Sequence, residues 1–128
     1  MYKLSSRSEA RLYGIDPILI EIIKEGLKDS PFDFGIPREG GYRSAEDQHI
    51  LYLKGASKCD GYKHKSYHQS GKAFDIYGYV EGKATWNVLI LTEIARHLQK
   101  IAKDCFCVDL EWGGDWVSFS DKPHFQIK

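Results

Sequence analysis

The strongest constraint on the fold lies between Ala84 and Lys103, where Val88, Leu91, Ala95, Leu98 and Ala102 recur at helical spacing with Ile94 and Ile101 beside them. A helix over this span presents one continuous apolar stripe, which makes it the central core helix of whatever fold forms around it. A second helix is expected over Pro17–Lys28, because Asp16 stands as an N-cap before a proline at the first helical position and Leu19, Ile22, Ile23 and Leu27 follow at matching spacing. Ser44, with Asp47 three positions on, resembles a capping box opening a third helix that carries Leu51 and Leu53 and stops at Gly55.

Strand signals lie between these helices. Phe32, Phe34 and Ile36 alternate with Asp33 and Gly35 and are closed by Pro37; Ala73, Asp75 and Tyr77 alternate with Phe74, Ile76 and Gly78, which points Asp75 away from the two apolar side chains. Phe106, Val108 and Leu110 read as a further strand and His124-Phe125-Gln126-Ile127 as the last. Lys54 to Gly71, rich in Gly, Ser, Lys and Asp, reads as a long exposed loop, a kind of segment that is usually functional or disordered. Helices and strands mix without a strict βαβ rhythm, so the class is α+β, a small antiparallel sheet packed with helices. At 128 residues with no repeat or linker, the chain reads as one domain, residues 1–128. A chain of this size buries roughly two thirds of its unfolded surface and needs neither disulfides nor a structural metal to fold.

Composition narrows the function classes. Eighteen Lys and Arg balance eighteen Asp and Glu, so no broad field draws the protein to nucleic acid or anionic lipid. The longest aliphatic run, Val88-Leu89-Ile90-Leu91, is far short of a membrane span. Met1 to Glu9 hold no apolar signal-peptide region, so synthesis in a cytoplasm without Sec export is expected. Three cysteines, Cys59, Cys105 and Cys107, are an odd number without paired C-x-x-C spacing; they read as reduced, packed thiols, and on a strand Cys105 and Cys107 share a face without bridging easily.

Five histidines remain to be placed. His49 and His97 lie on predicted helices among polar neighbours, and the Gly- and Ser-rich surroundings of His64 and His68 argue against a two-His helical metal face. His68 is different from the others because Asp75 follows on the adjoining strand, with Gly71 free to turn the chain between them. His124 opens the last strand, where an antiparallel neighbour brings it beside Asp75. Two imidazoles and one carboxylate, with a fourth position left to water, compose an open, catalytic zinc site.

The neighbouring residues turn this constellation into a resemblance. Ser66-Tyr67-His68-Gln69-Ser70-Gly71-Lys72-Ala73-Phe74-Asp75 matches the S-x-H-x-x-G-x-A-x-D motif of the M15 zinc peptidases, and Asp121-Lys122-Pro123-His124 resembles that family's second element. Gly41-Tyr42-Arg43-Ser44, followed by Gln48, is similar to its G-Y-R-S segment. Trp112-Gly113-Gly114-Asp115-Trp116 looks like the segment before the last ligand in the phage-type L-alanyl-D-glutamate peptidases of the family. The likeness runs from about Phe32 to the C-terminus.

The resemblance implies a hedgehog/D-Ala-D-Ala-peptidase-like fold and one Zn²⁺ per chain held by His68, Asp75 and His124. It further implies Asp121 as general base and Arg43 as the cation facing the developing oxyanion. Ser66 hydrogen-bonds either the ligand loop or the substrate. Many members, including the D-alanyl-D-alanine dipeptidases of vancomycin resistance, carry Glu at the base position, where this chain has the shorter Asp121. Apart from the family, Arg43 could pair with Glu46 or Asp47 at the surface, Asp121 could be a turn residue before Pro123, and Glu111 is a rival base with no local reason to lie near His124. Trp112, Trp116, Tyr67 and Phe119 would wall a cleft, core packing being the equal alternative for Trp112.

The expected activity is zinc-dependent hydrolysis of peptidoglycan stem peptides at the L-Ala-D-Glu bond by a phage or prophage endolysin. In that role the chain is a monomer without an appended wall-binding domain, accumulating in the host cytoplasm and reaching periplasm and wall once a holin opens the inner membrane. The alternatives are a D-Ala-D-Ala carboxypeptidase and a non-catalytic zinc-holding interaction module.

Overall fold

A computed structural model describes residues 2–128. The α2 helix Pro17–Lys28 forms where the spacing predicts it: the Asp16 side chain accepts from the Ile18 N–H at 3.0 Å and Pro17 takes the first turn. It follows a short α1, Ser6–Ala10, capped by Ser5. The α3 helix, Ala45–Leu53, is capped by Ser44, whose hydroxyl accepts from the Asp47 N–H; this is a one-way cap rather than the full box expected from the sequence. The α4 helix, Val88–Phe106, packs on α2, and together the two supply about half of the buried apolar core. Leu19, Ile22 and Ile23 of α2 and Ile94, Ala95 and Leu98 of α4 are wholly buried.

α4 begins later and ends later than the apolar pattern suggests. Glu81 and Gly82 both take positive φ, the geometry of a two-residue hairpin turn, and join β3, Tyr77–Val80, to β4, Lys83–Thr85. Ala84 is therefore a strand residue, and the helix waits for Asn87, whose side chain accepts from the Leu89 and Ile90 N–H groups. At the other end Phe106 is still helical, and Cys107 closes the helix in the left-handed conformation. The strand expected at Phe106–Leu110 is thus replaced by a helix end, and the next strand, β5, is Glu111–Trp112. Cys105 and Cys107 consequently share no strand; both are exposed rather than packed, Cys59 is half-buried, and all three thiols are free.

Two three-stranded antiparallel sheets complete the α+β fold, where the sequence suggests one. The first runs β1-β3-β4, with β1 at Asp33–Gly35. The second runs β2-β6-β5, with β2 at Ala73–Asp75 and β6 at His124–Gln126. The single strand expected across Ala73–Gly78 is divided between them at Ile76, whose N–H is taken by the Pro123 carbonyl. Phe74 and Phe125 stack face to face beneath the second sheet, their centroids 5.0 Å apart. Its outer register sets Asp75 directly opposite His124 and Glu111 opposite Gln126.

Candidate metal centre and its cleft

The segment Lys54–Gly71 contains more order than an exposed loop. Three successive N–H groups, of Tyr62, Lys63 and His64, donate to one oxygen of Asp60. A 3₁₀ turn then forms at Tyr67–Ser70 with a complete capping box: Ser66 Oγ accepts from the His68 N–H, and Gln69 Oε1 accepts from the Ser66 N–H. Of the two bonds open to Ser66, the structure shows the one to the ligand loop. Gly71 ends the turn at φ 72° with its Cα against the Gly14 carbonyl, where a side chain has no room, and so returns the chain into β2.

These elements bring His68, Asp75 and His124 together. His68 Nε2, His124 Nδ1 and Asp75 Oδ1 lie 3.2 Å from one another in all three pairings. His68 Nδ1 faces the Gly41 carbonyl at 2.8 Å; a carbonyl only accepts, so that nitrogen carries the hydrogen and Nε2 carries a lone pair. His124 Nε2 likewise faces Gln126 Oε1 at 2.7 Å, leaving Nδ1 to the cluster. Three lone-pair-bearing atoms pointed at one spot repel unless a cation lies among them. Their separation matches the donor spacing of about 3.3 Å at a tetrahedral centre with bonds of about 2.0 Å. Donor types, tautomers and spacing therefore fit a divalent metal such as zinc, and this is the group of residues that could hold one.

The charge on Asp75 agrees with that fit, while the raised pKa of His124 means that a proton competes with a cation for Nδ1. Burial opposes ionisation of Asp75, but the two imidazoles beside it overcome the penalty and hold its carboxyl well below the usual carboxylate range. Burial also works against a charged His124, and its bond to Asp75 outweighs this and raises its pKa. Asp75 presents only Oδ1 to the cluster; Oδ2 accepts from Arg43 at 3.2 Å.

Arg43 is held on three sides. Its Nε donates to the Glu39 carbonyl, one terminal nitrogen to Gln48 Oε1 and the other to Asp75. The surface pair with Glu46 or Asp47 does not form. Gln48, which the sequence marks only as following the Gly41–Ser44 segment, is fully buried and acts as a brace: its amide also donates to Ser57 Oγ and to the Cys59 carbonyl, tying Arg43 to the loop. Three of the five guanidinium donors are thereby engaged, and the side chain still borders the cavity.

Asp121 lies across the same cavity, its carbonyl accepting from the His124 N–H. Desolvation at the cavity wall and the negative charge of Asp75 raise its pKa, a direction that would suit a proton acceptor. Gly113 holds this turn close, since a Cβ there would meet the Asp121 carbonyl at 2.3 Å. Glu111 does not border the cavity; it accepts from Trp116 and Gln126 instead.

The cavity encloses about 770 Å³, and its walls include Tyr67, Trp116, Phe119, Lys58 and Lys65. Lys58 Nζ sits 3.6 Å above the Phe119 ring, and the Trp116 ring packs at 5.3 Å from His124. Trp112 belongs to the core, donating its indole N–H to the Lys122 carbonyl. A second hollow of about 420 Å³ is also lined by Arg43 and Asp75, together with Trp86 and Pro123. The other histidines stay outside it: His49 Nδ1 bonds the Asp60 carbonyl, His97 Nε2 the Gly26 carbonyl, and His64 is exposed.

A family model described as phage L-alanyl-D-glutamate peptidase matches residues 1–126. The chain is 29% identical over 128 residues to the L-alanyl-D-glutamate peptidase of Escherichia phage T5, covering 99% of this chain and 90% of that one. It is 32% identical over 107 residues to the peptidoglycan L-alanyl-D-glutamate endopeptidase CwlK of Bacillus subtilis, covering 68% of this chain and 57% of the relative. Among solved structures, the Serratia marcescens L-Ala D-Glu endopeptidase ChiX superposes with a TM-score of 0.84 at 30% identity, over 98% of this chain and 90% of that one.

Proposed function

The chain belongs to the phage L-alanyl-D-glutamate peptidase family, and on that premise we propose that it is a zinc peptidase cutting the L-Ala-D-Glu bond of peptidoglycan stem peptides. The observation that carries this reading is the 3.2 Å triangle of His68, Asp75 and His124 atoms, with Asp121 and Arg43 on the walls of the same cleft. In this reading the three residues hold the metal. When bound, zinc supplies Lewis acidity, which polarises an amide carbonyl and brings the ionisation of water down to about pH 7.

The chain's own groups do the rest. Asp121 takes a proton from the attacking water and returns it to the departing amine, a transfer for which its raised pKa suits it. Arg43 turns its remaining donors toward the carbonyl oxygen as negative charge gathers there, an interaction stronger in the transition state than with the substrate. Asp75 keeps Arg43 in place, and Gln48 keeps it from swinging to solvent. Lys58 and Lys65 give the cavity a cationic side suited to the carboxylates of the stem peptide. Ser66 serves by capping the turn that carries His68.

We read residues 1–128 as one catalytic unit acting as an endolysin on the host wall after holin opens the inner membrane. No helix of the described residues is long and apolar enough to cross a membrane. Digestion of purified peptidoglycan, followed by mass spectrometry of the new termini, tests the reading. It should release stem peptides with a new D-Glu amine and leave L-Ala on the glycan; chelator should stop this and zinc restore it. Loss of terminal D-alanine alone would make the protein a carboxypeptidase, and no new terminus would make it a binding module.

A further inference from the structure

Glu111 takes no part in the proton transfer, yet it anchors a chain of hydrogen bonds that ends on His124. Its Oε2 accepts from the Trp116 indole at 2.9 Å and from the Gln126 amide nitrogen at 3.1 Å, and Gln126 Oε1 lies 2.7 Å from His124 Nε2. The sheet lays these groups in line. Glu111 and Gln126 are opposite each other on β5 and β6, and His124, two residues from Gln126, projects from the same face.

We propose that Glu111 and Gln126 are positioning residues that keep the hydrogen of His124 on Nε2 and so aim the Nδ1 lone pair at His68 and Asp75. Donor and acceptor matching permits one arrangement. A carboxylate only accepts, so the NH₂ end of the Gln126 amide must face Glu111, and the carbonyl end must face His124. A carbonyl in turn requires N–H at Nε2. With the amide reversed, oxygen would oppose oxygen at Glu111 and N–H would oppose NH₂ at His124. Trp116 holds Glu111 from the other side, and its ring lies against the imidazole. A neutral imidazole without this chain would divide between two tautomers, and the Nδ1–H form cannot bind a cation through that nitrogen.

The inference rests on His124 being a metal ligand, and the experiment separates the two. Metal-free protein with ¹⁵N-labelled histidine is examined by long-range ¹H–¹⁵N NMR at a pH alkaline enough to keep imidazole neutral, and zinc affinity is measured by chelator competition. Wild type should show His124 mainly as the Nε2–H tautomer, held so by Gln126 against the Asp75 carboxylate 3.2 Å from Nδ1, which favours the other. Gln126→Met and Glu111→Leu should show a tautomer mixture and bind zinc about 10- to 100-fold more weakly. Glu111→Gln, which keeps an acceptor for both donors, should retain the wild-type tautomer and affinity within a few-fold. An Nδ1–H tautomer in wild type, or variants with unchanged tautomer and affinity, would overturn the proposal. His124→Ala is the separate control: if it binds zinc as tightly as wild type, the ligand assignment itself fails.

Discussion

The α2–α4 pair and the β2-β6 side of the molecule are built on opposite principles. Where the helices cross, wholly buried Leu and Ile side chains meet, each worth about 1.5–3 kcal/mol of burial. Around the candidate metal centre the strands and the 3₁₀ turn are three or four residues long, and buried Gln48, His68 and His124 replace aliphatics. There the polar contacts are hydrogen bonds of about 0.5–1.5 kcal/mol net, or about 1.5–3 kcal/mol where one partner is charged, and among the described residues no buried side-chain N or O lacks a partner. The helical half supplies stability, while the polar half supplies direction, since every bond in it determines where one lone pair or proton points. Substitutions on the two sides should therefore fail in different ways.

The largest effect is expected from removing a ligand. His68→Ala or His124→Ala should abolish stoichiometric zinc and lower wall hydrolysis by at least about 10³-fold, since water activation and carbonyl polarisation are lost together. Metal analysis of the purified variants beside activity checks this, and a fully zinc-loaded His68→Ala would break the contrast. Asp121→Asn comes next. It should lower kcat by about 10²–10⁴-fold with zinc content unchanged, because its carboxylate is outside the 3.2 Å cluster. Neither change should lower the melting temperature of the metal-free protein as much as a lesion between the helices.

The same division decides what could be read from the sequence. Pro17–Lys28 is legible to the residue because cap, proline and apolar spacing are local and agree. The start of α4 is misread because Glu81-Gly82, without the Asn-Gly or Asp-Gly that usually marks a hairpin, makes that turn, and apolar residues from Ala84 onward extend the helical pattern backward. Phe106 and Val108 mimic a strand because both pack on the core, one from the last helical turn and one just beyond the cap. In the site, His68, Asp75 and His124 are legible as residue types because the chemistry demands those types. Their convergence depends on the Asp75–His124 register, which the antiparallel reading anticipates. The roles of Gln48, Gln126 and Glu111 are not legible beforehand: Gln48 enters only as a residue following the Gly41–Ser44 segment, and the Gln126 amide is fixed by Glu111 from the neighbouring strand.

Between the helices, Leu98→Ala should cost about 2–5 kcal/mol, read as a lower urea midpoint, with zinc affinity of the folded protein unchanged. Gly26 sharpens the test. A Cβ there would come within 2.5 Å of Leu98 Cδ2, so Gly26→Ala should destabilise by about 1–3 kcal/mol through overpacking although alanine is the better helix former. In Gly26→Ala/Leu98→Ala the new methyl enters the space the leucine leaves. The pair should thus be less destabilised than the sum of the singles by about 1 kcal/mol. Strict additivity would show that the two helices do not meet at this point.

The smallest effect lies where the two halves join. Asp16 caps α2 and accepts from Lys72, which enters β2 from the ligand turn, while the Asp16 N–H donates to the Gly71 carbonyl. Asp16→Ala should cost about 1 kcal/mol, mostly through the lost cap. Asp16→Asn keeps the cap and isolates the charge, worth about 0–1 kcal/mol for a pair this open to solvent. The bond to Lys72, with the Ile18 N–H, lowers the Asp16 pKa below its unfolded value. The charge therefore stabilises the fold fully above the unfolded pKa of about 3.9, and this contribution fades as pH falls through the lower folded value. Urea unfolding of wild type and Asp16→Asn should accordingly differ by a constant amount near neutrality and converge below about pH 3. A gap that widened on acidification would mean that Asp16 is stabilised in its protonated form, and that the junction is held by the cap and backbone rather than by charge.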